Sequence, residues 1–299
     1  MFDQVSIIGC GLIGSSIFKG LKKVGSIKKI ISYDKDKTVT EIIKNEKLSD
    51  EIFNSAGDAV KDSDLVIIAT PISSFESVLN SMKDNLKTGS IVTDTCSVKT
   101  GVAKIFKKFN LKNSICIPGH PVAGIENSGP KAGVSDLFKN RWTILTPGKG
   151  IDEKAIKKLS SFWELMGSKI KIMSDEDHDK ILSFTSHLPH AIAYNIVQTS
   201  MSNDEETKED IIRYSAGGLR DFTRIAASDP IMWRDIFIDN SALIIKAIDK
   251  FIKNLDQFKK AISDKDSKKL LEIFEKSKDF RKSVIEAGQD TDKPDFGRK

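Results

Sequence analysis

The sequence predicts an α/β domain built on a largely parallel sheet, followed by an all-helical domain. Short apolar runs alternate with amphipathic stretches through the first half, the rhythm of βα units whose strands lie parallel. After Ser174 the strand-like runs stop and the remaining segments carry helical periodicity. Close to the start, GCGLIGSS places Gly9, Gly11 and Gly14 in G-x-G-x-x-G spacing between an apolar run and a helical pattern.

In order, VSIIG (5–9) reads as the first strand and Leu12 to Lys23 as the first helix. KIISYD (29–34) and the central LVIIAT (65–70) follow, flanked by polar helical segments. SIVTD (90–94), SICIPG (114–119) and WTILTP (142–147) come next, then a helix near 153–166 and KIKIMS (169–174). The helical half comprises 175–200, 205–215, a broken stretch at 217–230, a long segment at 231–259, and 264–286. This divides the chain into domains 1–174 and 175–299, with the last residues, about 287–299, lacking an apolar face and expected to fray. The long helices are apolar on one side, as in SALIIKAIDKFI, with few companions to cover them. That surplus predicts a subunit interface, hence a homodimer through the helical domain.

A hydrophobic fraction of 39% with 30% charged residues is that of a globular chain able to bury a core. The absence of a membrane-length apolar run and of a basic leader points to a cytoplasmic protein with no membrane partner. Cys10, Cys96 and Cys116 lack metal spacing and fit reduced thiols. The net charge of +5 is spread along the chain as lysine, without the aromatic interleaving of a nucleic-acid surface, so that class is excluded. Of seven arginines, four fall in one window: Arg213, Arg220, Arg224 and Arg234. Forked guanidinium groups suit a carboxylate or phosphate. The alternative is a helix surface paired to Asp221, Asp229 and Asp235.

The glycine stretch has a mechanism behind it. The first glycine permits a tight turn, the second lets a pyrophosphate approach the backbone, and the third lets helix pack on strand. The helix N-terminus, at Leu12 and Ile13, offers free N–H groups to the phosphates. Asp34 ends the second strand twenty residues beyond Gly14, where a carboxylate binds ribose hydroxyls and repels a 2′-phosphate. The reading is a Rossmann-type dinucleotide-binding domain that takes NAD rather than NADP, with Thr70 and Pro71, after the central strand, counted among the cofactor-binding residues.

Three further strand ends carry polar groups: ATPIS (69–73), DTCSVK (94–99) and GHPVAG (119–124). If those strands are neighbours, Ser97 and His120 both project toward the nicotinamide end of the cofactor. His120 then reads as a catalytic base, a structural turn histidine or, with no second ligand at useful spacing, least of all a metal ligand. In SHLPHAIA, His187 and His190 share a helical face if Pro189 is accommodated, as pocket or core residues rather than a zinc pair.

Together DTCSVK, GHPVAGIENSGP, SHLPHAIA and GGLRDFTRIAASDPIMWRDI resemble, in that order, the prephenate and arogenate dehydrogenases of tyrosine biosynthesis. The resemblance covers nearly the whole chain. It implies a Rossmann-type domain followed by an all-α dimerisation domain, and oxidative decarboxylation of prephenate to 4-hydroxyphenylpyruvate with NAD. By that resemblance His120 is the base and Ser97 hydrogen-bonds and orients it. Arg224 binds a substrate carboxylate, His190, Glu126, Trp233 and Gly217 line the pocket, and Asp221 holds local structure. Ser15 and Ser16 stand where the family often has another glycine, and Leu219 where an aromatic is common, which leaves prephenate against arogenate open. A hydroxyacid or imine reductase of the same plan would not place a histidine in GHPVAG. A non-catalytic NAD sensor would be expected to lose Ser97, His120 and Arg224.

Overall fold

Strand β1 (Gln4–Ile8) is buried from Val5 onward on both faces, as a central strand between two helical layers must be. This computed structural model describes residues 2–125 and 127–288. Helix α1 (Leu12–Val24) follows β1 and is ended by Gly25 in the left-handed conformation (φ 68°). β2 (Lys29–Tyr33), α2 (Lys37–Asn45), β3 (Glu51–Ile52), α3 (Ala56–Val60) and β4 (Leu65–Ile68) continue the alternation. α4 (Ile72–Met82), β5 (Ile91–Asp94), α5 (Thr100–Phe109) and β6 (Ile115–Cys116) complete it.

The six strands form one parallel sheet in the order β3-β2-β1-β4-β5-β6. The chain winds outward one way from β1 and then restarts on its other side at β4. That reversal opens a crevice beyond the carboxyl ends of β1 and β4, the usual ligand position in such sheets. One face is covered around Phe18, Phe138, Phe162 and Trp163, the other around Phe75, Leu79, Met82 and Phe106.

Four expectations are corrected. SICIPG is not one strand. Ile117 N–H makes the last bond to Val92 O (2.9 Å), and Pro118, with no N–H to donate, lets the chain leave the ladder. It enters β7 (Gly119–Pro121), which pairs antiparallel with β8 (Trp142–Leu145). β8 in turn pairs parallel with β9 (Lys169–Ile172) after α6 (Glu153–Leu165), so WTILTP and KIKIMS build a second, three-stranded sheet.

The segment 175–200 is also interrupted. α7 (Asp175–Leu182) passes through a π turn at Ser183–His187 into α8 (Leu188–Met201). Pro189 sits in the first turn of α8, where its missing N–H breaks the regular ladder. α9 (Glu205–Arg213), α10 (Gly217–Thr223) and a 3₁₀ turn at Arg224–Ala227 follow. The segment 231–259 is two helices, α11 (Pro230–Asp239) and α12 (Ser241–Ser263), separated by buried Asn240.

By internal packing the chain forms two units, residues 1–244 and 245–299. In the second, α12 is followed by α13 (Ser267–Glu286), and Phe258 meets Phe274 edge-on with centroids 5.9 Å apart. The tail expected to fray lies, from residue 289 on, outside the described residues.

Candidate active site

The glycine turn has the shape a dinucleotide needs. Gly9 has φ 95°, and a Cβ there would lie 2.7 Å from Ala69 O and 2.8 Å from Thr70 Cγ2. The β4–α4 connection carrying Thr70 and Pro71 is therefore packed on the turn. A Cβ on Gly14 would come within 2.1 Å of Gly9 O, which ties the start of α1 to the end of β1. Gly11 is the contrast: a Cβ there meets nothing within 4 Å. It N-caps α1 with no side-chain cap, so the first N–H groups, at Leu12 and Ile13, are left to a ligand. Asp34 follows β2 and accepts from Cys10 N–H (2.7 Å) and Asp36 N–H (2.9 Å), which fixes its carboxylate beside the turn. These residues fit a dinucleotide whose ribose meets a carboxylate.

The β5–α5 connection holds a buried ion pair that the sequence reading passed over. Lys99 and Asp94 are fully buried and in direct contact, and Lys99 Nζ also donates to Gly119 O at 2.7 Å. Asp94 accepts from Gly119 N–H (3.0 Å) and Cys96 N–H (2.9 Å). Gly119 is thus held at both backbone groups, and with it the next residue, His120.

All four histidines of the chain gather here. His120 Nδ1 is 2.8 Å from His178 Nε2, and His178 Nδ1 is 2.8 Å from Asp179 Oδ1. Asp179 also accepts from Lys99 N–H (2.8 Å) and Thr100 N–H (2.9 Å). Asn240 Nδ2 donates to Asp179 O (3.0 Å) and to His187 Nδ1 (3.1 Å), which leaves the His187 proton on Nε2. That nitrogen is buried without a protein partner, as is Trp233 Nε1. His190 Nδ1–H donates to Ser186 O (2.9 Å), and its ring stacks on Trp233 at 3.6 Å. His187 meets the same indole edge-on at 6.1 Å, so the two histidines of SHLPH do share a face.

Burial governs the charges. It pushes His120 well below the ordinary imidazole range, and positive charge on His178, Lys99 or His187 acts in the same direction. His178 is lowered by burial against the opposing pull of Asp179. His187 falls to about 4, chiefly by burial. His190 is lowered by burial, and Arg224 reinforces this although the Ser186 carbonyl opposes it. Burial alone would raise the Asp179 carboxyl, but its bonds from His178, Thr100 and Lys99 carry it below the usual carboxylate range. The site is therefore a set of neutral imidazoles around one fixed carboxylate.

Ser97 lies half-buried in the β5–α5 connection, but among the described residues no hydrogen bond joins it to His120. The partner of His120 Nδ1 is His178. Arg224 begins the 3₁₀ turn after α10, exposed and close enough to act on His190. Arg234 pairs with Asp235 at 2.6 Å, so that arginine follows the ion-pair alternative. Gly217 opens α10, half-buried. Glu126 lies outside the described residues. Among the described residues no group of three or more His, Cys, Asp or Glu is placed to hold a metal ion, and no helix is long and apolar enough to cross a membrane.

A dinucleotide cradle at a sheet's switch point, in the same unit as a buried neutral histidine, defines an oxidoreductase that uses a nucleotide cofactor. A family model for the nucleotide-binding domain of prephenate dehydrogenase matches residues 17–172, and one for its dimerization domain matches 174–276. A cyclohexadienyl dehydrogenase of Zymomonas mobilis is 39% identical over 94% of this chain and 96% of its own. A prephenate dehydrogenase of Bacillus subtilis is 33% identical over 94% of this chain and 76% of its own. The crystal structure of prephenate dehydrogenase from A. aeolicus, in complex with hydroxyphenyl propionate and NAD+, is 34% identical. It superposes with a TM-score of 0.86 over 95% of this chain and 99% of that one. The chain belongs to the prephenate dehydrogenase family.

Proposed function

We propose that the protein catalyses the NAD-dependent oxidative decarboxylation of prephenate to 4-hydroxyphenylpyruvate. The observation that carries this is His120: buried, kept neutral, and bonded through Nδ1 to His178, so that Nε2 is left for a substrate hydroxyl. When bound, NAD supplies the acceptor for the hydride that leaves ring C4. His120 Nε2 accepts the proton of the C4 hydroxyl as that carbon becomes a carbonyl centre. Loss of the ring carboxylate as carbon dioxide returns its electron pair through the ring to the C4 oxygen, which then takes back a proton as the ring becomes aromatic. No proton is gained or lost overall, which suits a base sealed from bulk water.

The other polar groups fit a dicarboxylic substrate. Arg224 offers a forked guanidinium to one carboxylate, and the free N–H groups of His187 and Trp233 are donors in need of an acceptor. His190, stacked on Trp233, Gly217 and Glu126 are assigned to the pocket, and Ser97 to the cofactor side of His120. Asp34 gives preference for NAD over NADP. The chain assembles as a homodimer through its helical domain. The exposed Ile252, Leu255 and Ile262 of α12 and Leu271, Phe274 and Phe280 of α13 supply the apolar surface this requires. As domains we assign 1–174 to the nucleotide and 175–299 to substrate and dimer, a division by function that differs from the packing units.

A second reading, dual use of prephenate and arogenate, is favoured by the likeness to a cyclohexadienyl dehydrogenase. The test is steady-state kinetics with both substrates under NAD and NADP, on the wild type and on His120→Asn. The expected result is the highest kcat/KM with prephenate and NAD, and a kcat lower by about 10²–10⁴ in the variant with KM little changed. A folded His120→Asn protein with wild-type kcat overturns the base assignment, and equal kcat/KM with NADP overturns the cofactor choice.

A further inference from the structure

His178 touches no reacting atom in the reaction set out above, yet it is buried and bonded at both ring nitrogens. Asp179 fixes the order of protons along the row. Its Oδ1 accepts from Lys99 N–H and its Oδ2 from Thr100 N–H, at 2.8 and 2.9 Å. An ionised carboxylate set this way can only accept from His178 Nδ1, so that nitrogen carries the proton. A neutral His178 then has a lone pair at Nε2. At 2.8 Å from that lone pair, His120 Nδ1 must be the donor. The remaining nitrogen of His120, Nε2, is therefore the basic one.

We propose that His178, anchored by Asp179, is a positioning residue that holds His120 in the tautomer with a basic Nε2 and stabilises the imidazolium formed when that nitrogen takes a proton. This rests on the reading of His120 as the base. Without His178 the ring is free to carry its proton on Nε2, where it blocks the reaction. The imidazolium also loses the acceptor for its Nδ1–H, which makes His120 a weaker base. The ionisable groups acting on the pair are Lys99 and Asp94 from the β5–α5 connection, Asp179 from α7, and His187 from the π turn. None of these is altered by replacing His178.

Two substitutions separate positioning from mere structure. In His178→Asn the amide reaches Asp179 but places no atom where Nε2 stood. In His178→Gln the longer amide sets its oxygen at that place, as an acceptor for His120 Nδ1–H. The expected result is a fall in kcat of about 10- to 100-fold in His178→Asn, part of the ~10²–10⁴ a general base supplies. KM should be near the wild-type value, and the base limb of the pH–rate profile should move to lower pH. His178→Gln should restore most of kcat and return the limb.

Equal losses in both variants with an unmoved limb, or wild-type kcat in His178→Asn, overturn the proposal. Loss of kcat in His120→Asn alone refutes only the positioning role, whereas wild-type kcat in His120→Asn refutes the base itself. The ¹⁵N shifts of the four imidazoles in the wild-type protein need no variant to fold. They should show His120 protonated at Nδ1 above neutral pH, and a proton on Nε2 overturns the proposal.

Discussion

Replacing Lys99 with methionine tests how the site is held. The side chain keeps its length and apolar stem, but its ammonium leaves Asp94, and both groups are fully buried. Breaking a buried pair from one side strands a charge in low dielectric and costs roughly 3–5 kcal/mol. Asp94 keeps its bonds from Gly119 and Cys96 N–H, which hold the figure within that range rather than above it. Gly119 O also loses its donor, so the loss reaches the residue preceding His120. At about 2–4 °C per kcal/mol for a unit of this size, the thermal midpoint should fall by roughly 6–20 °C. Circular dichroism melts of the wild type, Lys99→Met and Lys99→Met/Asp94→Asn read this directly. The double variant should recover part of the loss, because it removes the stranded charge. A midpoint within about 2 °C of wild type in Lys99→Met would show that the pair does not hold the site.

The two inner glycines should behave oppositely. Gly14→Ala drives a Cβ against Gly9 O and should lower both the thermal midpoint and NAD affinity, whereas Gly11→Ala has open space and should melt normally while raising KM for NAD. An unchanged KM for NAD in Gly11→Ala refutes the cradle. Arg224→Ala should raise KM for prephenate by the equivalent of roughly 2–5 kcal/mol, and an unchanged KM assigns that arginine to structure. Acid should destabilise the fold through its buried imidazoles. His187 binds its proton near pH 4 when folded and near 6.5 when unfolded, so its contribution is full above about 6.5 and is lost as pH falls toward 4. That is worth roughly 3 kcal/mol, and urea titrations of the wild type and His187→Gln should converge in slope against pH if His187 is not responsible.

The sequence by itself determined the parts whose physics is local. The G-x-G-x-x-G turn, the carboxylate after the second strand and the switch from strand to helical periodicity each depend on residues close together in the chain. All appear in the structure where the pattern puts them. His120, His187 and His190 were legible because glycine, proline or helical spacing marks their neighbours. Only the tertiary structure decided what those groups touch. Pro118 moves His120 out of the parallel sheet and onto a second one. Asn240 breaks a helix that the periodicity leaves whole, and bridges Asp179 to His187 across 61 and 53 residues of chain. His178, in the polar run DEDHDK, and Lys99, in DTCSVK, carry no periodic signal of burial. A hydrogen bond between side chains 58 residues apart leaves no periodic trace, because the chain between them sets its own pattern by its own burial. His120 was thus legible in the sequence, while the partner of its Nδ1 was decided by the packing of α7 against β7 and α5.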